Sequence, residues 1–145
     1  MNPYRMLLIN LVLSFVIMYV AMFLNIAEIN HFYLSMTRTY MALLMVFPMA
    51  ILMILTMHHM YKDKKMNKVI LTVSVLGFVL ALIGLRSQVF VNDEQYMRAM
   101  ISHHSSAIMV SENKVFDDPE LNQLAKEIIR SQREEIGLMK KLLSE

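Results

Sequence analysis

Thr39–Met57 reads TYMALLMVFPMAILMILTM, nineteen residues without a charge, broken only by Pro48 and Thr56. A helix crossing a hydrocarbon core of about 30 Å takes roughly 17–25 apolar residues, so this stretch predicts a membrane span rather than a buried core helix. Met6–Leu24 is likewise uncharged, with Asn10 and Ser14 as polar interruptions, and Val69–Leu85 is a third uncharged run. The first run is too long for the core of a cleaved signal peptide and has no small-x-small cleavage site, so it is expected to remain as an anchor. Three spans follow, at about 6–24, 39–57 and 69–86.

The composition agrees. The 145 residues are 57% hydrophobic and only 18% charged, with sixteen methionines and no cysteine. Absence of cysteine removes disulfides, thiolate catalysis and zinc ribbons together. A formal charge of +2, scattered rather than clustered, gives no basic patch for nucleic acid. With three glycines, phosphate-cradling loops are not expected, and no nucleophile or acid–base set appears, so the chain does not read as an enzyme.

Basic residues set the expected orientation. The connection between spans two and three carries Lys62, Lys64, Lys65 and Lys68 against Asp63, whereas the connection between spans one and two has Arg38 with Glu28 opposing it. The positive-inside rule places the lysine loop and the N-terminus in the cytoplasm and everything after Arg86 outside. Span three carries Ser74, Gly77, Ala81 and Gly84 at spacings of three and four, a face on which helix backbones can approach closely in lipid.

After Arg86 the chain becomes polar and reads as two helices. Asn92 with Gln95 is an N-cap pair, and Asp118-Pro119-Glu120 restarts the chain with a capping Asp and a Pro at the first helical position. The first helix is expected to run to about Lys114 and the second to about Leu143. The second helix carries an apolar stripe of Leu121, Leu124, Ala125, Ile128, Ile136, Met139 and Leu142 opposite Lys126, Arg130, Arg133, Glu134 and Lys141. Residues 1–88 therefore read as the membrane region and 89–145 as an extracytoplasmic hairpin. Fewer than about 60 residues bury little core, so the hairpin is expected to pair with a second copy as a four-helix bundle or to lie on the spans.

The hairpin also concentrates soft ligands. Met97, Met100 and His104 share one face of its first helix, with His103 on the flank. Thioethers and imidazoles suit Cu(I) and related ions better than Mg or Ca. Folding the hairpin about residues 115–118 brings Gln132 and Glu135 to the level of this face, where they could hydrogen-bond the free ring nitrogen of a ligating His. The competing reading is structural, because Met is a good core filler and a buried His bonded to Glu135 would simply stabilise a dimer core.

A second soft array lies in span two. Met41, Met45, Met49, Met53 and Met57 recur every four residues and lead to His58 and His59, a possible path for a monovalent ion. The four-residue spacing drifts about 40° per step, giving a slanting stripe that adaptable packing would equally explain. Pro48 interrupts it and should bend the helix. Glu28-Ile29-Asn30-His31 matches one Glu-x-x-His element of di-iron bundles, but the second copy and two further glutamates are missing, so it carries no site.

Tyr96-Met97-x-x-Met100-Ile101-x-His103-His104-Ser105-x-Ala107-Ile108, continued by Asp118-Pro119-Glu120, Leu124-Ala125, Ile128-Ile129 and Gln132-x-x-Glu135-Ile136-x-x-Met139, resembles the bacterial family called domain of unknown function 305, a ferritin-like helical domain. The front half, with His31, Arg38-x-Tyr40-Met41-Ala42-Leu43, Pro48-Met49 and Met60-Tyr61-Lys62, looks like its membrane-anchored subgroup. Some members handle copper or silver through Met and His. The resemblance carries that role onto Met97, Met100, His103 and His104, with Met109 and Met139 as outlying candidates. It departs at Ser102, where the family usually has Pro before the His pair, and a second hairpin found in larger members is missing.

The sequence thus predicts an all-α protein: three transmembrane helices, then an extracytoplasmic ferritin-like hairpin that dimerises. Cu(I) or Ag(I) is the expected ligand, the bacterial plasma membrane the expected location, and metal-handling proteins the expected partners.

Overall fold

The computed structural model describes residues 2–145 and is all-helical, with no strand among them. The helices are α1 (Pro3–Ala21), α2 (Met36–Thr56), α3 (Lys64–Ser87), α4 (Asp93–Glu112) and α5 (Pro119–Leu143), with a 3₁₀ turn at Ile29–His31 between α1 and α2. Contacts divide the chain into two compact units. One comprises residues up to 21 and 37–90, the other residues 22–36 and 91–145.

The first unit contains the three helices long and apolar enough to cross a membrane. At 1.5 Å per residue, their 19, 21 and 24 residues give lengths of about 28–36 Å. Their side chains face outward in a way water would not tolerate: Ile17 is 65% exposed and Leu80 68%. Large apolar surfaces of this kind mark contact with lipid or protein. Local chemistry sets the ends. Asn2 accepts the Tyr4 N–H at 3.0 Å as α1 begins, and Asp63 caps α3 by accepting from Lys65 and Met66. Beyond α3, Gln88 and Phe90 both take left-handed backbone, unusual for residues with a Cβ.

The small-residue face of α3 is a packing face. A Cβ on Gly77 would run into the Phe47 ring, and one on Gly84 would meet the Tyr40 ring at 2.8 Å. Ser74 and Ala81, on the same face, are buried. Elsewhere in this unit Leu7, Ile54 and Tyr61 form a buried cluster on which Met53 and Met57 pack.

The second unit is the α4–α5 hairpin together with the connection between α1 and α2. Residues 22–36 lie in the same compact unit as the hairpin. Asn92 caps α4 by accepting the Gln95 N–H, and Asp118 caps α5 by accepting from Glu120 and Leu121. Ile101, Ile108 and Ile136 form the core, with Tyr33, Ile129, Met139 and Leu143 packed on it.

The expected single stripe on α5 is two stripes. Ala125 and Ile136 are buried and Met139 packs on the core, whereas Leu121, Leu124, Ile128 and Leu142 are exposed. At 100° per residue the centres of the two sets lie about 70° apart around the helix.

Candidate functional site

Consecutive residues on a helix point about 100° apart, so His103 and His104 cannot both face inward. His104 is buried and His103 exposed. Their ring centroids are 6.0 Å apart with the planes at 66°. His104 lies on the buried face of α4 with Ile101, Ser105 and Ile108, while Met97, Met100 and Met109 are half-buried. Met139, on α5, packs against the isoleucine core.

Across the hairpin, His104 Nε2 lies 2.6 Å from Glu135 Oε2, and the Ser131 hydroxyl donates to the other Glu135 oxygen at 2.7 Å. These two hydrogen bonds hold the Glu135 carboxyl below the usual carboxylate range, Ser131 being the larger cause. Glu135 does not sit on the inward stripe. It is an exposed residue at the edge of the helix face, reached by the His104 ring. An ionised carboxylate only accepts, so Nε2 carries a proton, and in the neutral form of the ring Nδ1 then holds a bare lone pair. Nδ1 is buried and has no hydrogen-bond partner. Gln132, half-buried one turn away, therefore does not bond this ring.

A second buried imidazole completes the polar interior. His31, at the end of the 3₁₀ turn, is 4% exposed. Its Nδ1 is 2.8 Å from the Ser105 hydroxyl, which also accepts the Ala27 N–H at 2.8 Å. Its backbone carbonyl accepts from the Ser102 hydroxyl at 2.8 Å. Since Ala27 already donates to Ser105, the serine proton is free to go to His31 Nδ1, leaving the ring N–H on Nε2, 3.9 Å from Glu28. Burial, and then the positive charge of Lys140, lower the His31 pKa, with Glu28 opposing them. The ring is neutral at neutral pH.

The same connection is held at three further points. Met36 N–H donates to the Gln95 side chain at 2.9 Å, Asn25 donates to Ser106 at 2.7 Å, and Lys140 donates to Asn30 at 2.9 Å. Ser102 and Ser105 are wholly buried, and their small side chains let the 3₁₀ turn approach α4. Ser102, standing where the resembled family has Pro, thus supplies a hydroxyl to that contact. The Glu-x-x-His pattern around His31 points only toward a metal and does not reveal the role of this residue. The signal that could have found its role is the run of small polar residues, Ser102, Ser105 and Ser106, beside apolar positions of α4.

Among the described residues, no three His, Cys, Asp or Glu side chains group as a metal site. A zinc- or iron-type ligand set is therefore not assembled, and the remaining soft donors near α4 are thioethers. In α2, the methionine ladder divides: Met53 and Met57 pack on the Leu7 cluster, while Met41 and Met45 are exposed. At its end, the exposed His58 and His59 rings stand edge-on with centroids 5.8 Å apart.

Protein L153 of Acanthamoeba polyphaga mimivirus, an uncharacterized protein, is 37% identical over 145 aligned residues, covering 97% of this chain and 92% of its own length. This relative is viral, not bacterial. No solved structure matches the chain. The profile described as Domain of unknown function (DUF305) matches residues 53–143, which include all of α3, α4 and α5. The chain belongs to this family.

Proposed function

We propose that this is a membrane-anchored metal-handling protein whose hairpin unit holds a soft monovalent ion, Cu(I) or Ag(I), on the α4 face carrying Met97, Met100 and His104. The observation behind this reading is the His104 ring. A carboxylate takes one of its nitrogens and leaves the other as a buried lone pair without a partner. Metal-ligating histidines are typically oriented in this way by a carboxylate or carbonyl on the far nitrogen. Thioether sulfurs of Met97 and Met100 would complete a soft donor set, and the exposed His103 would meet an ion arriving from water. The ion supplies no chemistry to a substrate; the proposed role is capture and transfer.

The orientation belongs to the same proposal, with the lysine loop at 62–68 cytoplasmic and the hairpin unit outside. The lysine loop supports the choice of side, and the hydrogen bonds from the 25–36 connection to α4 support the placing of the first loop and the tail on one side. Three crossings provide that. A reporter active only in the cytoplasm, fused after Glu145, is expected to be silent.

The test of metal binding is titration of the full chain in mild detergent with Cu(I) against a competing chelator, repeated with Ag(I). His104→Ala and the Met97→Leu/Met100→Leu double variant should each weaken binding at least tenfold. Unchanged affinity in both would discard the proposal.

A second reading, a purely structural module, draws on Ser102, Ser105 and His31, whose polar atoms are used in stitching the connection to α4. It predicts that His104→Ala lowers thermal stability in metal-free protein and that metal adds nothing to the wild type.

A further inference from the structure

Leu121, Leu124, Ile128, Leu138 and Leu142 are between 36% and 59% exposed. Together with Ser131 and Glu135 they are spaced 3, 4, 3, 4, 3, 4 along α5. That is the a/d repeat of a helix packed lengthwise on another helix. Its five apolar positions are left uncovered by α4, since α5 packs inward through Ala125, Ile136 and Met139; of the seam only Glu135 reaches α4, through His104 Nε2. A free seam of six turns, about 31 Å long at 1.5 Å per residue, therefore runs along the outside of the hairpin.

We infer that this seam pairs with the same seam of a second copy, antiparallel about a two-fold axis between Ser131 and Glu135. The two polar positions choose the direction. Parallel pairing would stack Glu135 on Glu135 of the second copy, placing like charges in one layer. Antiparallel pairing with a against d brings Leu124 to Leu142, Ile128 to Leu138 and Ser131 to Glu135 of the second copy. Apolar then meets apolar on both sides of the axis, a hydroxyl meets a carboxylate in the middle, and Leu121 lies beyond the paired layers. A polar layer inside an apolar seam fixes register at some cost in stability. The contact is isologous and closes at two chains.

The ridge beside the seam carries Glu120, Glu127, Glu134 and Lys141. Antiparallel pairing sets Glu127 near Lys141 of the second copy, while Glu134 meets Glu134 of the second copy at the solvent-exposed flank near the axis, with Arg130 one turn before it on each chain. Three glutamates along this edge oppose adsorption on an anionic lipid surface, which favours basic flanks. A protein helix is thus the fitting occupant, and the complementary one is the helix itself.

With no native cysteine, cross-linking is clean. Ile128→Cys, Leu138→Cys and the double variant are made in the full chain and oxidised in native membranes. The expected result is a two-chain product for the double variant and none for either single variant. Cross-linking of the single variants would overturn the antiparallel register, and no product in any variant would overturn the pairing. In detergent, Leu124→Glu/Leu138→Glu should raise the dimer dissociation constant at least about a hundredfold, because four carboxylates, two from each chain, would be buried unpaired. Helicity by circular dichroism should not change, as both sites are exposed in the single chain. A dimer of unchanged affinity would count against this surface.

Discussion

Ser105→Ala removes one hydroxyl and should release the whole 22–36 connection. That hydroxyl serves both His31 Nδ1 and the Ala27 N–H, each at 2.8 Å. A hydrogen bond contributes about 1 kcal/mol net, and a buried polar atom left without a partner costs about 1–3 kcal/mol. The His31 side chain is only 5% exposed, so water cannot replace the serine without an opening of the turn. The sum is about 2–4 kcal/mol, or roughly 30- to 700-fold in the opening equilibrium at 1.4 kcal/mol per decade. Amide exchange reads it best at His31 and Met36. Their N–H groups bond to the Glu28 carbonyl and the Gln95 side chain, which the substitution does not touch. Protection at both should fall by at least about 30-fold. Ser106→Ala, which loses only an exposed bond to Asn25, should stay within about 0.5 kcal/mol of wild type. If Ser105→Ala deprotects Ala27 alone and leaves His31 and Met36 within a factor of about three, the contacts are independent and the reasoning fails.

Three other outcomes follow from the same geometry. His31 has a lowered pKa in the fold, so the unfolded chain binds more protons near the ordinary value; the unit should lose stability as pH falls below about 6.5, and His31→Gln should flatten that dependence in thermal scans. Glu135→Gln weakens the acceptor on His104 Nε2, and under the metal proposal Cu(I) affinity should drop about 10- to 100-fold while the helix content is kept. Gly77→Leu puts a side chain into the space of the Phe47 ring, and the yield of folded protein in detergent should fall, with partial recovery in the Gly77→Leu/Phe47→Ala double variant.

What the sequence makes readable here is mostly local. The three helices apolar enough to cross a membrane show as charge-free runs because a hydrocarbon environment makes its demand residue by residue. The starts of α4 and α5 show because Asn92 and Asp118 satisfy backbone donors only two or three residues away. The polar interior is not local. Ser102 and Ser105 meet residues 71 to 78 positions earlier, and no periodicity connects a loop carbonyl to a helix hydroxyl across two spans. The histidine pair misleads for a geometric reason: adjacency in the chain means divergence on a helix, so only His104 enters the interior. The α5 stripe misleads differently. Two seams about 70° apart merge when apolar positions are counted without asking which of them α4 covers.

The discontinuous hairpin unit has a consequence for how the chain is made. Ala27 precedes Ser105 by 78 residues. A ribosome adding about 5–20 residues per second produces the second partner some 4–16 s after the first. In that interval α2 and α3, the remaining apolar helices, are synthesised. Closure of the unit therefore comes last. In the proposed three-span topology, failure of one of those helices to insert would strand the loop and α4 on opposite sides of the bilayer, with His31, Ser102 and Ser105 open to water and to proteases. Under the proposed topology, a closed unit thus reports completed insertion of all three apolar helices.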